Sequence, residues 1–95
     1  MEAYEKVYAV VRKFNRPATT AEIMIECLTA EYVGNADKYL RMGAQTEDTR
    51  EKVNPFPEGL PYFGCRKIDG KRTKIWWIMK PLPLSLFRGK NENTN

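Results

Sequence analysis

Apolar side chains at Tyr4, Val7, Tyr8, Val11 and Phe14 recur every three or four positions, the spacing that lines up one face of a helix, and predict a helix over residues 2–15. Glu2 and Glu5 stand early in it and Arg12 and Lys13 late, the order a helix dipole favours, and Pro17 ends it. Thr19 and Glu22 have the Thr-x-x-Glu spacing of a capping box, so a second helix is expected from there. Ile23, Met24, Cys27 and Leu28, with Tyr32 at the end, supply its buried side, and the turn signal Gly34-Asn35 closes it. Asp37 to Met42 predicts a short helix with Tyr39, Leu40 and Met42 as its apolar surface, and Gly43-Ala44 suggests a stop or a bend. A further helix is expected from Thr46, where a cap is followed by Glu47 and Asp48. It must finish by Asn54, because Pro55 and Pro57 cannot continue it.

From Pro55 to Pro61 the chain reads as an extended connector. Beyond it, two runs of β-branched and aromatic residues flank Asp69-Gly70, a strong short-range hairpin signal. A two-residue turn there would spread apolar residues over both faces of the ribbon. An odd-length loop, with Gly70 at a left-handed position, gathers Phe63, Cys65, Thr73, Ile75, Trp77 and Met79 on one face. The other face then carries Tyr62, Gly64, Arg66, Arg72, Lys74 and Trp76, and since burial fixes register the odd loop is expected. Trp77 is thereby assigned to the core and Trp76 to the outer face. After the ribbon, Pro81 and Pro83 exclude a central strand. Leu82, Leu84, Leu86 and Phe87 form an apolar tail that must find cover, either on the first helix or on a second subunit, and Arg88 to Asn95 is polar. The expected organisation is one domain over residues 1–80 and a tail over 81–95.

Composition narrows the class. Ninety-five residues with 42% apolar and 29% charged side chains suit one soluble globular domain with a modest core. No unbroken apolar run is longer than the five residues Ile75 to Met79, far too short to span a membrane. The start, Met-Glu-Ala-Tyr-Glu-Lys, lacks the basic-then-apolar pattern of a secretory leader, so a cytoplasmic location is expected. The formal charge of +4 is unevenly spread. From Thr19 to Gly59 eight acids face four bases, whereas from Tyr62 to Lys90 eight bases face Asp69 alone. Arg66, Lys67, Lys71, Arg72 and Lys74 cluster around the hairpin turn, an arrangement suited to a polyanion.

The chemistry of catalysis is poorly represented. There is no histidine, the commonest general base and metal ligand, and Cys27 and Cys65 lack zinc-ligand spacing. Ser85 is the single serine, and no glycine-rich phosphate loop occurs. No cofactor or metal is expected, and the chain does not read as an enzyme. Both cysteines are expected on core faces as free thiols.

Helix, capped helix, further helix and basic hairpin is the order of winged helix-turn-helix domains, and the span from about Tyr4 to Met79 resembles that family. The resemblance rests on Arg16-Pro17-Ala18-Thr19-Thr20-Ala21-Glu22-Ile23, which is similar to the approach to the family's second helix. It rests also on Gly59-Leu60-Pro61-Tyr62-Phe63 running into Arg66-Lys67-Ile68-Asp69-Gly70-Lys71-Arg72, which looks like strand, wing and strand. The fold implied is α+β, three or four helices followed by a two-stranded basic β-hairpin wing. The function implied is sequence-specific binding of double-stranded DNA by a transcriptional regulator, with a recognition helix in the major groove and the wing along the adjacent backbone or minor groove.

Carried onto this chain, the resemblance places the recognition helix at residues 46–54, with Thr46, Thr49, Arg50, Lys52 and Asn54 as contacting side chains. Arg50 would pair with guanine, and the threonines and Lys52 would hold phosphates. In the second placement residues 36–43 are the reading helix, with Lys38 and Arg41 toward the groove, and this suits the short turn of a compact helix-turn-helix. Glu47, Asp48 and Glu51 weigh against the first placement, since carboxylates near phosphates cost affinity. The wing would contribute Arg66, Lys67, Lys71, Arg72 and Lys74, making binding steeply salt-dependent. A homodimer through Leu82, Leu84, Leu86 and Phe87 is a further expectation. Two rival readings stand beside this one: a protein-docking module on the same fold, and an RNA-binding domain in which Tyr62 and Trp76 stack on unpaired bases.

Overall fold

The computed structural model describes residues 1–45 and 53–83. Helix α1 spans Ala3–Phe14, strand β1 Ala18–Thr19, helix α2 Thr20–Glu31, helix α3 Ala36–Ala44, strand β2 Phe63–Lys67 and strand β3 Lys74–Ile78. Among the described residues this is an α+β fold of three helices and a three-stranded antiparallel sheet in the order β1-β3-β2. The sheet thus has one strand more than the sequence predicts. β1 is only two residues long and runs from Pro17 into Thr19, the cap of α2, too short to show a period of its own.

Local sequence explains where the helices start. Glu2 and Glu5 form a reciprocal capping box at α1, with the Glu2 backbone N–H donating to Glu5 Oε1 at 2.9 Å. The expected box at α2 is present. The Glu22 N–H donates to Thr19 Oγ1 at 3.1 Å, and the Thr19 N–H donates to Glu22 Oε1 at 2.9 Å. α2 ends at Tyr32 in the left-handed conformation (φ 59°), where the Val33 N–H returns to the Cys27 carbonyl at 3.0 Å. Four residues, 32–35, then join α2 to α3.

α1, α2 and α3 enclose a core of Val7, Tyr8, Val11, Ile23, Cys27 and Leu40, closed from below by Phe63 and Trp76 of the sheet. Phe56, in the connector, makes edge-on contacts with Tyr4 (centroids 4.9 Å) and Phe63 (5.6 Å). The connector is pinned by Asn54, whose Nδ2 donates to the Met42 carbonyl (2.8 Å) and whose Oδ1 accepts from the Phe56 N–H (2.9 Å). Met24 packs on the core as expected, but Leu28 and Tyr32 do not: they are 56% and 88% exposed, and Val33 fills the position expected of Tyr32.

The ribbon departs from its expected register. β2 and β3 pair Phe63 with Ile78, Gly64 with Trp77, Cys65 with Trp76 and Arg66 with Ile75. The Ile68 N–H donates to the Thr73 carbonyl at 2.9 Å, so the loop is the four residues 69–72, an even number. Phe63, Cys65, Trp76 and Ile78 therefore face the helices, while Gly64, Arg66, Ile75 and Trp77 face outward. Two contacts decide the parity. β1 pairs Ala18 with Trp76, which brings the Trp76 indole against α2, where its Nε1–H donates to Thr20 Oγ1 at 2.7 Å. On the other face Gly64 leaves room for its partner Trp77 to lie across the strand. The loop itself is a turn closed by Lys71 N–H to the Ile68 carbonyl (3.0 Å), with Gly70 at φ 73°.

Leu82 is 3% exposed and belongs to the domain core, not to a tail. The Tyr8 hydroxyl ties it there, donating to the Lys80 carbonyl and accepting from the Leu82 N–H, both at 3.1 Å. The fold-back on the first helix, one of the two covers expected, is what Leu82 adopts. Leu82 is consequently unavailable to a dimer contact, and Leu84, Leu86 and Phe87 lie outside the described residues. No helix among the described residues is long and apolar enough to cross a membrane.

Candidate nucleic-acid interface

The free end of the ribbon extends beyond the last sheet pair. Arg66, Lys67, Lys71 and Arg72 are all exposed there, and Lys74 is half-buried at the start of β3. Asp69 and Gly70 form the exposed turn between them. Among the described residues, the ion pairs lie elsewhere: Lys13 with Glu26 at 2.6 Å, Arg16 with Glu22 at 2.9 Å and Arg41 with Asp37 at 3.6 Å. The acids of the helical block are thus partly neutralised by the block's own bases, whereas the ribbon cations reach no carboxylate among the described residues. Charge at this density, with no carboxylate partner among the described residues, leaves a strong local positive potential.

Of the two placements for a reading helix, residues 36–43 fall within α3, which follows α2 by the short turn that a compact helix-turn-helix requires. Lys38 and Arg41 are both half-buried on it. Lys38 Nζ sits 5.4 Å from the centroid of the Tyr39 ring, and Arg41 is paired one turn on from Asp37. In the other placement, Thr46, Thr49, Arg50 and Lys52 lie outside the described residues. Asn54 is described; it stands in extended chain and both ends of its amide are bonded to backbone.

Tyr62 and Trp76, expected to stack on unpaired bases, are 3% and 2% exposed and are not available for it. Tyr62 donates its hydroxyl to the Glu58 carbonyl at 2.8 Å, and its backbone N–H bonds the Gly43 carbonyl at 2.7 Å, tying the ribbon root to α3. The indole on the outer face is Trp77, which is half-buried there and which the sequence reading placed in the core. It separates two shallow concavities, one lined by Pro17, Arg66 and Ile75, the other by Arg12, Asn15, Arg16, Pro17 and Ile78. An aromatic plane bordered by guanidinium groups therefore continues the basic ribbon toward the end of α1. The signal that could have found it is Gly64, the one position opposite Trp77 with no side chain.

The two thiols are free. Burial pushes Cys27 up to about 11, and burial also raises Cys65, against the opposing pull of the Lys74 ammonium. Both are protonated at neutral pH and act as small apolar groups. No three His, Cys, Asp or Glu residues among those described are gathered to hold a metal ion.

Comparison of the chain with family models, with curated proteins and with solved structures gives no match in any of the three. The functional reading rests on the geometry.

Proposed function

We propose that this chain is a winged helix-turn-helix domain that binds double-stranded DNA and regulates transcription by occupying it. The order α1-β1-α2-α3-β2-β3, with β1 closing the sheet against β3, fits that fold. α3 is the reading helix in this proposal, with Lys38 and Arg41 toward the groove, and the β2–β3 ribbon is the wing. The observation that carries it is the set of exposed cations Arg66, Lys67, Lys71 and Arg72, none of which is spent on a carboxylate among the described residues. Each phosphate neutralised releases counterions and adds about 0.9 to the slope of log affinity against log salt.

Fluorescence anisotropy with a random-sequence duplex tests it. Wild-type chain binds at low salt, and Lys71→Ala with Arg72→Ala weakens every duplex about equally and lowers the salt slope by about 2. Arg41→Ala instead narrows the gap between preferred and random sequence. Absence of binding at about 50 mM salt overturns the proposal.

A second reading has an observation of its own. Trp77, half-buried beside Arg12 and Arg66, is placed to stack a base of a single strand whose phosphates meet the arginines. Competition settles the choice: single-stranded RNA or DNA displacing duplex at equal nucleotide concentration, with the advantage lost in Trp77→Ala, favours this reading over the duplex one.

A further inference from the structure

The ribbon presents two chemically different surfaces. Its free end carries Arg66, Lys67, Lys71 and Arg72, all exposed and with no aromatic ring among them, which suits phosphates and is indifferent to bases. Its outer face carries Trp77, the half-buried indole opposite Gly64. Nε1, Cε2 and Cζ2 of that ring would all collide with a β-carbon on Gly64. The indole therefore lies over the space a side chain would fill, one side against the strand and the other turned outward.

Arginines border this ring on both sides. Arg66 lines one concavity with it, and Arg12 lines the other, its guanidinium carbon 5.8 Å from the centroid of the Tyr8 ring. Arg16 also lines the second, but Glu22 holds it at 2.9 Å. Among the described residues no acid lines either concavity, and neither Arg12 nor Arg66 reaches a carboxylate. An aromatic plane between two such guanidinium groups matches one unpaired nucleotide with a phosphate on either side. A base inside a duplex cannot use it without leaving the stack.

We propose that the DNA this chain takes is a duplex that continues into a single strand, with the duplex on α3 and the wing and the first unpaired bases on Trp77. The inference rests on the duplex reading above and adds the form of the DNA. Gly43 brings α3 against Phe63, which faces the helices, so α3 and Trp77 lie on opposite faces of one ribbon. A duplex seated on α3 thus leaves the indole open to the strand that runs on past its end. Arg66 joins the two surfaces, since it is both a wing cation and part of the Trp77 concavity. Trp77 stands three residues after Lys74 on β3, about 10 Å, which spans about three nucleotides at duplex rise.

Fluorescence anisotropy of the full chain at low salt compares a blunt duplex, the same duplex extended by about three unpaired nucleotides at one strand end or the other, and the free single strand. Wild-type chain binds one of the extended duplexes at least about fivefold more tightly than either the blunt duplex or the free strand, the effect of stacking one base. A fluorescent adenine analogue at the first unpaired position is quenched on binding, a readout that needs no variant. Trp77→Ala loses the gain and the quenching, and Trp77→Phe keeps part of both. Arg12→Ala lowers the salt slope for the extended duplex by about 0.7, the share of one single-strand phosphate. All three variants are checked for wild-type circular dichroism. Equal affinity for blunt and extended duplexes, or a gain that Trp77→Ala retains, overturns this inference and leaves the duplex reading standing. A free strand bound as tightly as the extended duplex overturns it in favour of the single-strand reading. Chain that binds none of these at about 50 mM salt overturns the duplex reading and this inference with it.

Discussion

A β-carbon on Gly43 would stand 2.5 Å from Cδ2 of Phe63, and 2.9 Å from Cζ of Phe56. α3 reaches the root of the ribbon because that position has no side chain, and the Gly43 carbonyl then accepts the Tyr62 N–H. Gly43→Ala gains helix propensity worth about 1 kcal/mol, but it drives a methyl group into a closed aromatic cluster, where overpacking costs about 1–3 kcal/mol or more. The expected outcome is a net loss of stability. Gly64→Ala makes an even closer approach, 2.3 Å to Cε2 of Trp77. That ring lies on the outer face and can swing into solvent, so the loss is smaller, and Trp77 becomes more accessible to acrylamide. Urea unfolding with unchanged m-values gives the order; a larger loss at Gly64 would mean that Trp77 is held as firmly as the core rings.

These two glycines also show what could be read in the sequence and what could not. The helix starts were legible because caps are local: the Thr19 hydroxyl, the Glu22 carboxylate and the N–H groups they serve lie within four residues. The chain reversal at Asp69-Gly70 and the charge around it were legible for the same reason. The ribbon's parity was not, because it depends on Ala18 pairing with Trp76 across 58 positions of chain and on a contact between Gly64 and Trp77. Gly43 reads locally as a helix stop, yet its role is set by Phe63, twenty positions on. At the candidate site, the cations of the ribbon could be named from sequence, whereas the outward-facing indole could not, since it followed the parity. The two sides of α2 were merged into one buried face because both are apolar, and periodicity alone cannot tell a core stripe from an exposed one.

The cap of α2 makes stability depend on pH in a defined window. The Arg16 guanidinium beside Glu22, followed by the Thr19 N–H, holds the Glu22 carboxyl at about 2, against an ordinary value of 4.5. The folded state prefers the ionised carboxyl, so its contribution is fully present above pH 4.5 and is lost as pH falls through about 2. Glu22→Gln is therefore less stable than wild type at pH 7, and the gap in melting temperature closes as pH approaches 2. Thr19→Ala, which removes the acceptor for the Glu22 N–H, costs about 0.5–2 kcal/mol at neutral pH. Melting curves from pH 7 to pH 2 check both; a constant gap for Glu22→Gln would show that the carboxylate acts only through shape.

Tyr32 sets the cost of a left-handed backbone against the packing of its own ring. Its left-handed φ of 59° is the geometry of a glycine cap, and a side chain with a β-carbon pays roughly 1–2 kcal/mol to hold it. Against this, glycine has more freedom to lose on folding, which takes back part of the gain. Tyr32→Gly should consequently leave a single copy as stable as wild type or more so, by up to about 1 kcal/mol, in unfolding experiments at micromolar concentration. The ring it removes is 88% exposed and contributes little to the core, so no packing loss offsets the relief. Stability that falls at low concentration would show that the Tyr32 ring already has a structural task within its own chain.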